Sequence, residues 1–290
     1  MARLSLRLPE NVPGEFYVDS SCIDCGVCRE MAPHTFSWSE RGRSFVSAQP
    51  RGSDQQLRAA MALVSCPTAS IGTERRKDLA PAIQGLPTPL FPGVEYCGFT
   101  SASTFGAASY LILRPGGNVL VDSPRATEPL FKGIAARGGL ALMFLTHRDD
   151  VGDHSQFHRR FGCERILHGK DLGAGTRGIE RVLRGSEPVR VSEDLLAIPV
   201  PGHTAGSTVL LYKDLALFTG DHLFASEDGE HLEAARELCW YSWAEQTRSM
   251  ETLLDFRFEW VLPGHGRRFH AEPSRLRAEL ARLVRRMASA

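Results

Sequence analysis

Three cysteines within seven residues set the tightest limit on what this chain can fold into. They form Cys22-Ile-Asp-Cys25-Gly-Val-Cys28, and Cys66-Pro67 follows 38 residues after Cys28. An iron–sulfur cluster needs several thiolates converging on one cage, and a tight loop can supply three of them. The fourth must come from elsewhere in the fold, a role that suits a Cys-Pro pair. A short loop also turns backbone N–H groups towards the cluster sulfurs, and Gly26 fits a backbone that must approach closely. Structural zinc also uses C-x2-C; the third close cysteine and the later Cys-Pro weigh towards the cluster. Cys97, Cys163 and Cys239 carry no motif and read as small buried hydrophobes. Seven cysteines is an odd number, and the opening stretch MARLSLRLPENVPGEF has no apolar core of a secretory signal. Both argue against a disulfide scaffold and for a cytoplasmic location.

At 290 residues the chain exceeds one average core, so two domains are expected. Lysine plus arginine and aspartate plus glutamate both number 34, so no basic excess points to a nucleic acid. No apolar run approaches the roughly 18–20 residues that span a bilayer. The expected organisation is a first domain over 1–78, a linker over 79–93 and a second domain over 94–290. The linker, LAPAIQGLPTPLFPG, has four prolines and two glycines, a composition suited to extended chain without its own fold. In the second domain, strands are expected around the Pro115-Gly116-Gly117 turn, at Leu140–Leu145, Arg165–Leu167, Val189–Val191, Leu195–Val200, Thr208–Tyr212, Leu215–Phe218 and Trp260–Leu262. Helices are expected near Thr127–Arg137, Asp153–Phe161, Trp243–Asp255 and Glu272–Met287. The arginines of the last helix read as a solvated face.

Four segments of the second domain carry imidazoles and carboxylates in turns after apolar runs. They are Thr146-His147-Arg-Asp149-Asp150-Val-Gly-Asp153-His154, Gly202-His203-Thr204-Ala-Gly206-Ser207, Thr219-Gly220-Asp221-His222, and Pro263-Gly264-His265-Gly266. Turns at strand ends can converge on one site, and neutral imidazoles with carboxylates suit zinc, iron and manganese.

The N-terminal segment resembles a bacterial single-cluster ferredoxin over about residues 14–76. The resemblance implies strands at Phe16–Val18, Ser44–Ala48 (central) and Ser70–Thr73, with helices beginning at Arg29–Ala32 and spanning Ser53–Val64. It implies one [4Fe–4S] cluster on Cys22, Cys25, Cys28 and Cys66. A second cluster is not implied, because no cysteine follows Cys28 where two-cluster ferredoxins have one. The four later segments resemble the metallo-β-lactamase superfamily over roughly residues 94–268. The fold class implied is α+β, a ferredoxin-like domain followed by an αββα metallo-β-lactamase sandwich with metals at one edge of its sheets. His203, Asp221 (the bridging carboxylate) and His265 match the family's ligand elements closely.

The first segment departs from the family's H-x-H-x-D-H or H-x-E-x-D-H. Asp149 stands where the second histidine belongs, and an Asp-His pair arrives two residues late. With a two-residue insertion, His147, Asp149, Asp153 and His154 all remain ligands, and Asp153 serves as the catalytic group that orients water and takes its proton. Without it, Val151 and Gly152 replace the pair. We read the insertion.

One or two divalent ions (zinc, iron or manganese) are thus implied, acting on a small-molecule substrate. The first reading is a hydrolase, in which hydroxide generated at the metal attacks an ester, thioester or amide. A second is an oxidoreductase, in which the cluster passes electrons to a redox-active metal or an electron-transfer partner. A third is a non-catalytic redox sensor with a degraded metal site. Glyoxalase-like thioester hydrolysis fits the fold, though the chain lacks the long helical extension that grips glutathione in that group. Thr204 and Ser207 read as braces of the His203 loop.

Overall fold

The computed structural model describes residues 2–289, which form two compact units. One runs up to Val119 and takes in Pro124–Leu140 and Ser155–Phe161. The other comprises Leu120–Ser123, Ala141–His154 and the chain from Gly162 on.

The first unit opens with the cysteine-rich segment. Strand β1 (Phe16–Val18) leads to the cysteine loop, helix α1 (Val27–Met31), strands β2 (Phe36–Ser39) and β3 (Arg43–Val46), helix α2 (Gly52–Ser65) and strand β4 (Ile71–Thr73). β1 and β4 pair antiparallel. β3 pairs with β2 as a hairpin rather than forming the central strand expected from the resemblance. Phe16, Val18, Phe36, Val46, Ala59 and Ala62 are buried beneath these elements. Residues 79–93, expected as a linker without its own fold, instead form helix α3 (Ala80–Gln84) and strand β5 (Thr88–Phe91). The prolines are tolerated because Pro81 sits in the first turn of α3, where a missing N–H costs nothing. β5, β6 (Val94–Tyr96) and β7 (Tyr110–Ile112) form an antiparallel meander. β8 (Val119–Val121) follows the Pro115-Gly116-Gly117 turn, and helix α4 (Glu128–Ala136) is N-capped by the Thr127 hydroxyl, which accepts from the Leu130 N–H.

Segment 97–107 touches the cysteine-rich part through two glycines in left-handed conformation, Gly98 at φ +63° and Gly106 at φ +88°. A methyl group on Gly106 would lie 2.6 Å from the Cys25 Cβ, so only glycine fits. Thr100 fixes the approach by donating from its N–H and its hydroxyl to the Ser65 carbonyl at 3.2 and 2.7 Å.

In the second unit, β9 (Leu142–Phe144), β10 (Glu164–His168) and β11 (Arg181–Leu183) run parallel, β10 lying between the other two. Helix α5 (His154–Phe161) connects β9 to β10 along the chain. A six-stranded sheet follows, built from β12 (Val189–Ser192), β13 (Leu195–Pro199), β14 (Thr208–Tyr212), β15 (Ala216–Gly220), β18 (Trp260–Pro263) and β19 (Phe269–His270) in that order. Only β15 and β18 pair in parallel within it. The short strands β16 (Phe224–Ala225) and β17 (Leu232–Glu233) pair with each other. Helices α6 (Trp243–Thr252) and α7 (Pro273–Ala288) cover one sheet face, burying Met250, Leu276, Leu280, Leu283 and Met287 against Ile198, Val209, Leu211, Leu217 and Val261. The arginines Arg275, Arg277, Arg282, Arg285 and Arg286 lie on the exposed side of α7, as its amphipathic spacing requires. Among the described residues, no helix is long and apolar enough to cross a membrane.

Candidate metal centres

Two groups of potential ligands form, one in each unit. In the first unit, Cys22, Cys25, Cys28 and Cys66 line one cavity with Val18, Ile23, Val27 and Ile71. The loop reaches this shape through left-handed backbone at Asp24 (φ +58°) and Gly26 (φ +76°). Cys28 sits in α1, and Cys66 caps the C-terminus of α2. Backbone N–H groups of Ser70 and Asp24 point at the Cys66 and Cys22 sulfurs at 3.3 and 3.5 Å. Burial pushes the Cys28 thiol up to about 12 and raises Cys22 and Cys25 as well. Such thiols ionise when a cation takes the proton's place. Four cysteines lining one cavity, with N–H donors to the Cys66 and Cys22 sulfurs, therefore suit an iron–sulfur cage.

In the second unit, β9, β14, β15 and β18 deliver histidines and aspartates from the turns beside their ends. One oxygen of Asp221, Oδ2, lies 3.8 Å from His147 Nε2, 3.7 Å from His203 Nε2 and 3.9 Å from His265 Nε2. These separations exceed a hydrogen bond and leave room for an ion between the partners. The ligating atoms of His147, Asp149 and His203 all lie within 4.8 Å of one another, as do those of His147, Asp150 and Asp221. His265 Nε2 is also 3.9 Å from Asp150 Oδ1. Close backbone approach permits the gathering. A methyl on Gly264 would come within 2.6 Å of Asp150 Oδ2 and 2.9 Å of Asp221 Oδ1.

Surrounding groups orient the imidazoles. The Thr146 hydroxyl has one proton, and it donates to Asp122 at 3.0 Å. Its oxygen can then only accept from His147 Nδ1, 3.0 Å away. His203 Nδ1 lies 2.7 Å from the Leu238 carbonyl, which can only accept. Both rings thus carry their proton on Nδ1 and present the Nε2 lone pair to the site. Both Nε2 atoms are buried and lack a hydrogen-bond partner, as are Asp150 Oδ2 and Asp221 Oδ1. Asp149 Oδ2 is 3.3 Å from His203 Nε2 but out of line for a hydrogen bond, so this contact is electrostatic. Burial lowers the basicity of His147; for His203 the carboxylates of Asp149 and Asp221 outweigh burial and raise it. Asp150 is held well above the usual carboxylate range by burial and by the charges of Asp221, Asp122 and Asp149. Buried lone pairs and crowded carboxylates with no proton donor fit a cation.

Asp171 is a brace that the sequence reading missed. Fully buried, it accepts from the Thr204 hydroxyl at 2.6 Å, the Gly206 N–H at 2.9 Å and the Arg148 N–H at 3.0 Å, tying the loops of His147 and His203 together. Thr204 and Ser207 share a hydrogen bond of 2.8 Å within the His203 loop.

Placement differs from expectation at the Asp-His pair. His154, expected as a ligand, is turned away: Nε2 meets the Gly175 carbonyl at 3.0 Å and Nδ1 meets the Arg165 guanidinium at 3.1 Å. A guanidinium only donates and a carbonyl only accepts, so His154 is neutral with both nitrogens engaged. Asp153, expected as ligand and catalytic base, falls in neither ligand grouping. Asp150 points inward instead, a residue neither proposed alignment selected. Carboxylate density immediately after Asp149 was the signal that could have found it. His222 is buried with neither ring nitrogen hydrogen-bonded, and burial lowers it to about 3. Cys97 and Cys163 are buried as expected, whereas Cys239 is only half-buried and donates to the Gly202 carbonyl at 3.1 Å.

Residues 18–73, which include all four clustered cysteines, match the 4Fe-4S single cluster domain of Ferredoxin I. The fold of the remainder is that of the metallo-β-lactamases. A metallo-β-lactamase family protein of Thermus thermophilus superposes with a TM-score of 0.52 at 18% identity, covering 69% of this chain and 81% of its own. The FIM-1 metallo-β-lactamase of Pseudomonas aeruginosa, in its mono-zinc form, gives 0.52 at 16% identity, covering 70% and 96%. The protein thus joins a ferredoxin-type [4Fe–4S] segment to a metallo-β-lactamase fold, with which divalent metals are associated.

Among curated proteins, it is similar to the hydroxyacylglutathione hydrolase of Methylococcus capsulatus, 33% identical over 143 residues, 46% of this chain and 54% of that protein. It is also similar to the hydroxyacylglutathione hydrolase of Anaeromyxobacter dehalogenans, 34% identical over 119 residues, 40% of this chain and 46% of that one. The chain spans about half the length of the curated relatives it matches.

Proposed function

We propose that the protein is a metal-dependent hydrolase of small-molecule thioesters or esters, with a ferredoxin domain over residues 1–78 ahead of a metallo-β-lactamase domain over 94–290. The observation that carries this reading is Asp221 Oδ2 standing 3.7–3.9 Å from three histidine nitrogens. His147, Asp149 and His203 would hold one ion, and Asp150 and His265 would hold a second, with Asp221 near enough to serve both. Divalent ions supply Lewis acidity and lower the proton affinity of water. The chain itself contributes orientation. Asp122 through Thr146, and the Leu238 carbonyl, hold the His147 and His203 rings with Nε2 towards the site. Asp171 keeps the two loops in register. Similarity to the hydroxyacylglutathione hydrolases supports thioester over amide substrates.

The oxidoreductase reading is favoured by one observation: Asp149 makes the donor set three imidazoles and three carboxylates, and oxygen-rich sets suit iron or manganese. Metal analysis of anaerobically purified protein, with a thioester hydrolysis assay, separates the two. Hydrolysis that persists with zinc alone in the second unit supports the hydrolase. Iron there with no hydrolysis in any metal form overturns it.

A further inference from the structure

Leu238, Trp240 and Tyr241 expose large apolar side chains to solvent, at 47%, 61% and 53%. In the second unit, among the described residues, Leu172 is the one other large hydrophobe exposed to this degree. An exposed cluster of this kind gains nothing for folding and marks a contact surface. The strip is nevertheless firmly held. It follows the 3₁₀ turn Arg236–Leu238 and is fastened to Gly202–His203 along its length. The Trp240 and Tyr241 N–H groups donate to the His203 carbonyl at 3.0 and 3.1 Å. Ser242 N–H and the Cys239 thiol donate to the Gly202 carbonyl at 3.0 and 3.1 Å. In return His203 Nδ1 donates to the Leu238 carbonyl at 2.7 Å. The Trp240 ring centre is 6.2 Å from that of His203. A rigid apolar wall therefore begins where the metal cradle ends.

Its chemistry selects an occupant. Arg236 and Glu237, both exposed, precede the strip, and the half-exposed Asp149 carboxylate beside His203 is itself 3.8 Å from Arg148 Nε. The Arg236 guanidinium sits 5.9 Å over the Trp243 ring. Indole and phenol faces favour flat apolar groups, and the charges around them are of both signs, so the apolar faces rather than an ionic contact set the selection.

We propose that Leu238, Trp240 and Tyr241 form the subsite for an apolar, aromatic-bearing acyl group of the substrate. This rests on the hydrolase reading, and it sets specificity beside the metal cradle rather than in it. The wall orders the acyl group against His203, so that selectivity between aryl and short acyl chains depends on it.

The test compares two product-like carboxylates, 2-naphthylacetate and acetate, titrated into metal-loaded full-length protein, with phenylacetyl and acetyl thioesters assayed in parallel. We expect tighter binding of 2-naphthylacetate. Trp240→Ala and Tyr241→Ala should each reduce the naphthylacetate-to-acetate preference by about 10–100-fold, and Trp240→Phe should restore most of it. Metal content of every variant is measured so that a misfolded variant is recognised. Where an alanine variant loses its metal, Leu238→Ser, expected to lower the preference in the same direction, carries the comparison. Equal affinity for the two carboxylates, or a preference untouched by these changes, overturns the subsite. Aryl binding without hydrolysis of either thioester keeps the subsite and removes the hydrolase reading. Hydrolysis without aryl preference does the reverse.

Discussion

At the scale of single residues, the contrast between Asp150 and His154 is the most direct check on the second-unit centre. Asp150 is buried with an unbonded oxygen facing Asp221, whereas His154 has both ring nitrogens occupied. Asp150→Ala should therefore empty the cradle shared with His265, seen as loss of about one metal equivalent by elemental analysis. His154→Ala should leave metal content unchanged; loss of metal there would restore the expectation that His154 is a ligand. Asp171→Asn acts one layer out and should weaken metal affinity by about 10–100-fold, measured by competition with a chelator. Arg165, which occupies His154, also donates to the Gly178 carbonyl and to Glu180. Burial works against the Glu180 charge, yet the Arg165 hydrogen bonds hold its carboxyl at about 2. A depressed value contributes stability above the unfolded carboxylate range. That contribution is lost as pH falls from about 4.5 towards 2. Glu180 is exposed, so the effect is no more than about 1 kcal/mol. Denaturant titrations should show wild type losing its advantage over Glu180→Gln across this window, and an advantage that persists at pH 2 would contradict the pairing.

Among the elements, close backbone approaches place the ligands. β18 ends at Pro263, and at Gly264 just beyond it a side chain would collide with both Asp150 and Asp221. Gly264→Ala should lower metal loading with little loss of secondary structure, read by metal analysis beside circular dichroism. Gly106 plays the same part against Cys25, and its left-handed φ adds strain to any substitution. Gly106→Ala should make the cluster bleach faster in air, measured by its visible absorbance. The strands and helices were largely readable beforehand because their apolar periodicity is local. The Thr208–Tyr212 strand and the α7 helix lie where spacing put them. Residues 79–93 misled, since proline content argues for extended chain, whereas β5 turns at Pro92-Gly93 to pair with β6 and so gains a place in a sheet. The edge pieces β16, β17 and β19 are two residues each, too short to show any period.

For the molecule as a whole, the fold match and the four cysteines define two inorganic sites on one chain. If the second unit hydrolyses thioesters on its own metals, Cys28→Ser should remove the cluster while leaving that reaction's pH profile in place. A rate that instead follows the cluster's oxidation state would favour redox chemistry. What the sequence determined by itself was the kind of donor and its order: sulfur in a tight loop, then nitrogen and oxygen at strand ends. Ligand type is a property of the residue, and short spacing leaves a loop few shapes. Which acidic or imidazole side chain after β9 faces the centre was decided only in three dimensions. Helix α5 starts at His154, and Arg165, on the following strand β10, captures that ring. The backbone turn before it leaves Asp150, rather than Asp153, pointing at Asp221. That choice depends on Arg165, eleven residues beyond His154, which no local pattern around the ligands reveals.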